Sequence, residues 1–116
     1  MGFGVPAGQA TATATGVLSN TLTATGNSQG TALQLPSDFC VFTTVAASTG
    51  AIMPATCSPG DWYTVVNHGA NTLSLYPPSG GKIKNGSTNA AASVAAGVVA
   101  QVLCIDPLTF ACATSN

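Results

Sequence analysis

Asp61-Trp62-Tyr63-Thr64-Val65-Val66-Asn67-His68-Gly69-Ala70-Asn71-Thr72-Leu73-Ser74-Leu75-Tyr76-Pro77 is the stretch whose reading decides the fold class. Its first part, Trp62 to Asn67, is a run of aromatic and β-branched residues, which suit a pleated, half-buried strand. Gly69-Ala70-Asn71 then supplies a turn, because Gly and Asn tolerate the backbone angles a chain reversal needs. Leu73-Ser74-Leu75-Tyr76 resumes with apolar residues at alternate positions, and Pro77 stops the run by removing a backbone donor. A strand, a turn and a second strand fill the segment with no room for a helix.

The same pattern continues outward in both directions. Strands are predicted over 17–25, 31–35, 39–45, 51–53, 62–67, 73–76, 82–84, 92–95, 99–105 and 110–113. Clusters such as Gly26-Asn27-Ser28-Gln29-Gly30, Ser58-Pro59-Gly60-Asp61 and Pro77-Pro78-Ser79-Gly80-Gly81 separate them. Helix formers other than Ala are scarce: there is no Glu and no Arg. Ala90 to Ala96 is the one arguable helical turn, and the alternation of Ala92, Val94 and Ala96 favours a strand there. Short strands with frequent turns predict an all-β fold, a small antiparallel β-sandwich or barrel. Parallel neighbours are expected to require crossover helices, and no segment reads as one.

Residues 17–116 therefore read as a single β domain and residues 1–16 as an extended N-terminal arm. Gly2, Gly4, Pro6 and Gly8 oppose regular structure at the start. Ala10-Thr11-Ala12-Thr13-Ala14-Thr15 alternates with period two but buries too little area to nucleate a core, so it reads either as a strand laid against a partner or as a loose terminus.

Charge is the most unusual property. Of 116 residues, 4% are charged: two Lys, three Asp and neither Glu nor Arg, for a formal net charge of -1. An ordinary soluble domain has about 25% charged residues. Two lysines cannot form the basic stripe of a nucleic-acid binder, nor the polybasic patch of a protein bound to anionic membrane. The start, Met1-Gly2-Phe3-Gly4-Val5-Pro6, has neither the cationic nor the apolar region of a secretory signal, so synthesis in a reducing compartment is expected. Ala90 to Leu103 is interrupted by Ser93, Gly97 and Gln101 and is too short for a membrane helix. Free monomers stay dispersed through mixed charge and a net charge well away from zero. A surface this silent implies contact with other protein or display on a particle too large to need charge of its own; the alternative is a monomer solvated by its Thr and Ser residues. The core-forming residues are also few enough that disulfides, a metal or oligomerisation would help.

The four cysteines, Cys40, Cys57, Cys104 and Cys112, show no C-x-x-C spacing and have one His for company, so no zinc site is expected. A reversal at Pro107-Leu108-Thr109 would set Cys104 opposite Cys112, and a hairpin at 47–50 would bring Cys40 near Cys57. Those are the two bonds expected if disulfides form; the alternative is four reduced, buried thiols.

No residue set promises catalysis. His68 stands at a strand-to-turn junction with no nucleophile motif around any Ser. Asp38, Asp61 and Asp106 each sit in a Pro-containing turn, where Asp bonds its own backbone. No catalytic residue, cofactor or metal site is predicted. Trp62, Tyr63 and Tyr76 are the candidate contact residues, for another subunit or for a sugar; Trp62 and Tyr63 must face opposite sides of one strand. Lys82 and Lys84 are read as a solvated strand edge or as contacts for an acidic neighbour.

The stretch from Pro59 to Pro77 also resembles a pattern found in small virion structural proteins of tailed bacteriophages, G-D-x-x-T-V-x-N-x-G-A-N-x-L-x-x-Y-P. Gly80-Gly81-Lys82-Ile83, and then Asn89 to Gly97 with its A-A-G turn, extend the resemblance, and Thr21 to Val45 matches in style. It covers about residues 20–105. The cysteines and Asp106-Pro107-Leu108 depart from it. The resemblance implies a capsid decoration (cement) protein: a trimer on the capsid exterior that stabilises the shell by bridging major capsid protein subunits, with no catalytic residues. A phage tail or fibre module that binds a host glycan through Trp62, Tyr63 and Tyr76 is the alternative.

Overall fold

The computed structural model describes residues 18–115, and among them the chain is all-β with no helix. Ten strands follow in order: β1 (Leu18–Thr23), β2 (Leu33–Gln34), β3 (Phe39–Thr44), β4 (Gly50–Ile52), β5 (Trp62–Asn67), β6 (Leu73–Tyr76), β7 (Lys82–Ile83), β8 (Ala92–Val94), β9 (Val99–Asp106) and β10 (Thr109–Thr114). Each falls where alternation and turn residues place it, with ends moved by a few residues. Within the 90–96 segment Ala92–Val94 is strand, as the alternation indicates, and no helical turn forms. The expected arm, residues 1–16, lies outside the described residues.

The strands form a six-stranded sheet, in the order β1-β3-β5-β9-β10-β7, and a four-stranded sheet, in the order β2-β4-β6-β8. The expectation of an antiparallel sandwich or barrel is corrected by the pairing. β1–β3, β3–β5, β2–β4, β4–β6 and β7–β10 are parallel; only β5–β9, β9–β10 and β6–β8 are antiparallel. The first six strands wind as a short solenoid. The chain makes a strand in the large sheet, crosses to the small sheet, and returns to lay the next strand parallel to the first. A strand of the opposite sheet thus does the work expected of a crossover helix, so the lack of helical sequence never excluded parallel pairing. β8 and β9 then run opposite to the strands they join, and β10 turns back beside β9 to close the stack.

Register aligns the inward residues into rows. Ser19, Cys40, Val65 and Ala100 are successive partners in the large sheet, as are Leu33, Ala51, Leu75 and Ala92 in the small one. Phe42, Val65, Val102 and Phe110 from the large sheet, with Leu73, Leu75 and Val94 from the small one, are almost fully buried in one core. Alternation with period two puts them on the facing sides of the two sheets.

Among the described residues, one polar side chain is fully buried. Asn67 ends β5, and its Nδ2 donates to Asn71 O and Val94 O, both at 2.8 Å, while its Oδ1 accepts from Gly69 N at 2.9 Å. Its backbone N–H donates to Val98 O at 3.0 Å, and its C=O accepts from Gly97 N at 2.7 Å. Asn71 Nδ2 in turn donates to Val45 O at 2.9 Å. The Asn67-His68-Gly69-Ala70-Asn71 motif is therefore a hydrogen-bonded corner joining both sheets. Gly69 is required there because a Cβ would stand 2.6 Å from the Val45 side chain.

The cysteines are all free, and neither expected pairing is set up. The β9–β10 turn is shorter than expected and a bulge follows it: Asp106 opposes Thr109, but Cys104 opposes Phe110, and Cys112 opposes Val102. β3 and β4 lie in different sheets rather than in one hairpin, which separates Cys40 from Cys57.

Candidate functional site

The outer face of the six-stranded sheet gathers the exposed apolar residues. Trp62 on β5 opposes Leu103 on β9, which opposes Ala111 on β10. Leu18, Phe39, Thr64, Gln101 and Ala113 form the adjacent row across five strands. Val41, Val66 and Val99 follow on the other side. Leu18 is 60% exposed, Phe39 41%, Trp62 58% and Ile105 51%. Large apolar side chains on one face are informative where single ones are not.

Polar groups on this face are already engaged. Thr64 Oγ1 donates to Gln101 Oε1 at 3.0 Å across the strands. Beside Trp62 lies a shallow depression of about 150 Å³, lined by Gln101, Leu103, Ala111 and Ala113 among others. None of these rows contains an ionised side chain. A face of this kind offers area and shape to another surface.

The three candidate aromatics are not brought together. Trp62 is exposed on the outer face, Tyr63 points from the same strand into the core, and Tyr76 is half-buried on β6 of the other sheet. Desolvation pushes the Tyr63 hydroxyl up to about 12, helped by the nearby Cys57 and Asp61. Lys82 and Lys84 are exposed, Lys82 on β7 and Lys84 just after it, and β7 is an edge strand. A charged edge discourages further pairing. β1, at the opposite edge, carries neither Lys nor Pro.

Two of the three acidic residues bond turn backbone, Asp106 from the last position of β9, while Asp38 is exposed just before β3. Asp61 Oδ2 accepts from Ser58 N at 2.8 Å and Asp106 Oδ1 from Leu108 N at 2.9 Å. His68 is exposed, and its backbone N–H continues the parallel ladder by donating to Phe42 O at 2.8 Å. No group of three or more His, Cys, Asp or Glu that could hold a metal occurs among the described residues. Among the described residues no helix is long and apolar enough to cross a membrane.

Sequence reading did not anticipate a groove of about 440 Å³ between β7, β8 and β10, bordered by Ile83, Lys84, Ala92, Ser93, Cys112 and Thr114. It opens because β7 and β8 lie at the ends of their respective sheets. Burial pushes the Cys112 thiol up and the nearby Lys84 charge offsets this in part. Cys40 is likewise raised by burial, against a lowering hydrogen bond with Ser37. Thiols held in the protonated form are poor nucleophiles. No family model, curated protein or solved structure matches this chain.

Proposed function

We propose that the protein is a non-catalytic structural component of a tailed-phage virion, a decoration protein that binds the capsid exterior and bridges major capsid protein subunits. The observation that carries the reading is the uncharged outer face of the six-stranded sheet, centred on Trp62, Phe39 and Leu103. The resemblance of the Pro59 to Gly97 sequence to small phage virion proteins supplies the partner. A wide face without charge suits permanent burial against protein, where each large apolar side chain contributes roughly 1.5–3 kcal/mol. In this reading the protein acts as a homotrimer, and residues 1–16 form an arm that adds to a neighbouring subunit. It needs no cofactor and contacts neither nucleic acid nor membrane.

The test is co-sedimentation of purified protein with undecorated phage shells, combined with the melting temperature of the shells. Binding that raises shell stability, and that is lost in a folded Trp62→Lys variant, is the expected outcome. A folded protein that ignores shells while retaining cell-wall glycans through Trp62 overturns the reading in favour of a fibre module.

A further inference from the structure

We infer that Cys57 and Cys104 are a latent disulfide: an oxidising thiol–disulfide pool converts this pair, and neither of the pairs expected from sequence, into one intramolecular bond. The bond would tie the loop between β4 and β5 to strand β9. The inference stands independently of the proposed virion role.

The geometry is already assembled. Cys57 is 5% exposed and Cys104 1%, and both belong to the same buried core. Cys57 and Cys104 are neighbours in that core, close enough to influence each other's ionisation, and the Cys104 thiol donates to Asp106 O at 3.2 Å. Two backbone bonds hold the loop against β9 at this point: Gly60 N–H donates to Cys104 O at 2.8 Å, and Cys104 N–H donates to Asp61 O at 2.9 Å. Closing the bond asks the Cys104 side chain to leave Asp106 O and turn towards Cys57. The other two thiols have different neighbours. Cys40 donates to Ser37 O at 3.2 Å, and Cys112 faces Val102 across the β9–β10 ladder.

The loop also supplies the route to reaction. Ala55, Thr56, Ser58, Pro59 and Gly60 are all exposed, so Cys57 is the buried anchor of a surface loop. Swinging the loop outward uncovers both sulfurs. With oxidised glutathione, the Cys57 thiolate attacks one sulfur of the disulfide and releases one glutathione thiolate. The Cys104 thiolate then displaces the second from the mixed disulfide. Two protein thiols lose two protons and two electrons, one disulfide forms, and one oxidised glutathione becomes two reduced molecules. In the closed state Cys57 is pushed up to about 12, by burial first and by Cys104 second. Exchange at neutral pH is therefore slow and limited by loop opening.

The experiment uses the full chain and a Cys40→Ser/Cys112→Ser variant that retains only the pair. Each is incubated with oxidised glutathione, then read by thiol titration, non-reducing peptide mapping and melting temperature. The expected result is loss of two thiols in both proteins, one cross-linked peptide joining Cys57 to Cys104, and a rise in melting temperature of about 10 °C or more that reductant reverses. Cys57→Ala and Cys104→Ala each abolish the rise while the reduced variants keep a cooperative melt. Should either variant not fold, the two-cysteine protein still decides the matter. A cross-link between Cys40 and Cys57 or between Cys104 and Cys112 overturns the inference, as does retention of all thiols after prolonged oxidation.

Discussion

Asn67 shows what a single residue does in a chain with almost no charge to organise it. Its amide is fully buried and fully engaged, joining Asn71, Val94 and Gly69. Truncation leaves two carbonyls and one N–H without partners, each costing roughly 1–3 kcal/mol. Asn67→Ala is accordingly expected to lower unfolding free energy by about 3 kcal/mol or more, seen as a fall in urea midpoint at unchanged slope. Asn67→Asp should be worse at neutral pH, because a carboxylate would face two carbonyl oxygens, and should recover in acid, where the protonated group donates to one of them. Sequence reading saw Asn67 as the end of a strand and Asn71 as part of a turn, both correctly. It could not see that the two side chains bond backbone far away in the chain, because nothing local records where Val94 and Val45 will lie. Tyr63 and Cys57 give a second prediction at this scale. Both are raised in the folded state to about 12, from 10.0 and 9.0. Above pH 9 the unfolded chain binds fewer protons than the folded one, so stability falls as pH rises. Melting temperature should be flat through neutral pH and decline from about pH 9 towards 12. In Tyr63→Phe the decline should be shallower, and an unchanged slope would remove Tyr63 from the account.

At the scale of elements, the ten strands were legible and their pairing was not. Leu73-Ser74-Leu75-Tyr76 shows its buried face by alternation, but alternation is the same whether the neighbour runs parallel or antiparallel. Direction is set by where the chain goes between strands, and here it goes through the other sheet. The coils also hide themselves as a repeat. Leu18, Phe39 and Thr64 are stacked partners, as are Leu33, Ala51 and Leu75, yet the spacing differs from coil to coil. A fixed period of roughly 20–50 residues would have disclosed a solenoid. The cysteine register failed for a similar reason: one short turn and one bulge moved Cys112 from Cys104 to Val102. Gly50 tests the stacking. It starts β4, exchanges backbone bonds with Thr25, and lies so close to the next coil that a Cβ would be 2.5 Å from Ser74 O. That neighbour is backbone and cannot rotate away. Gly50→Ala should destabilise by about 1–3 kcal/mol, measured by urea denaturation. Ala55→Gly, in the exposed loop that follows β4, should change stability far less. Equal effects at the two sites would mean that the coils are not packed in this register.

At the scale of the molecule, the charge deficit and the apolar sheet face make one physical statement about association. The formal charges are two Lys and three Asp. Asp61 and Asp106 accept backbone bonds in turns, Asp38 is exposed just before Phe39, and Lys82 and Lys84 sit at the β7 edge. The face around Trp62 and Phe39 thus meets a partner with little electrostatic steering and little repulsion. Any association through it, with a second copy or with a capsid subunit, must be driven by removal of apolar surface from water. Such binding responds to salt in a characteristic way. Raising sodium chloride from 50 to 500 mM screens exposed charges, yet there are almost none to screen. The dissociation constant should change by less than about threefold over that range, and sulfate at equal ionic strength should tighten it, because excluded salts strengthen apolar burial. Sedimentation equilibrium in both salts provides the measurement, with Trp62→Lys as the control that weakens association. A steep loss of binding in sodium chloride would place the interface at the Lys82 and Lys84 edge instead, where contact with an acidic neighbour is the physical alternative.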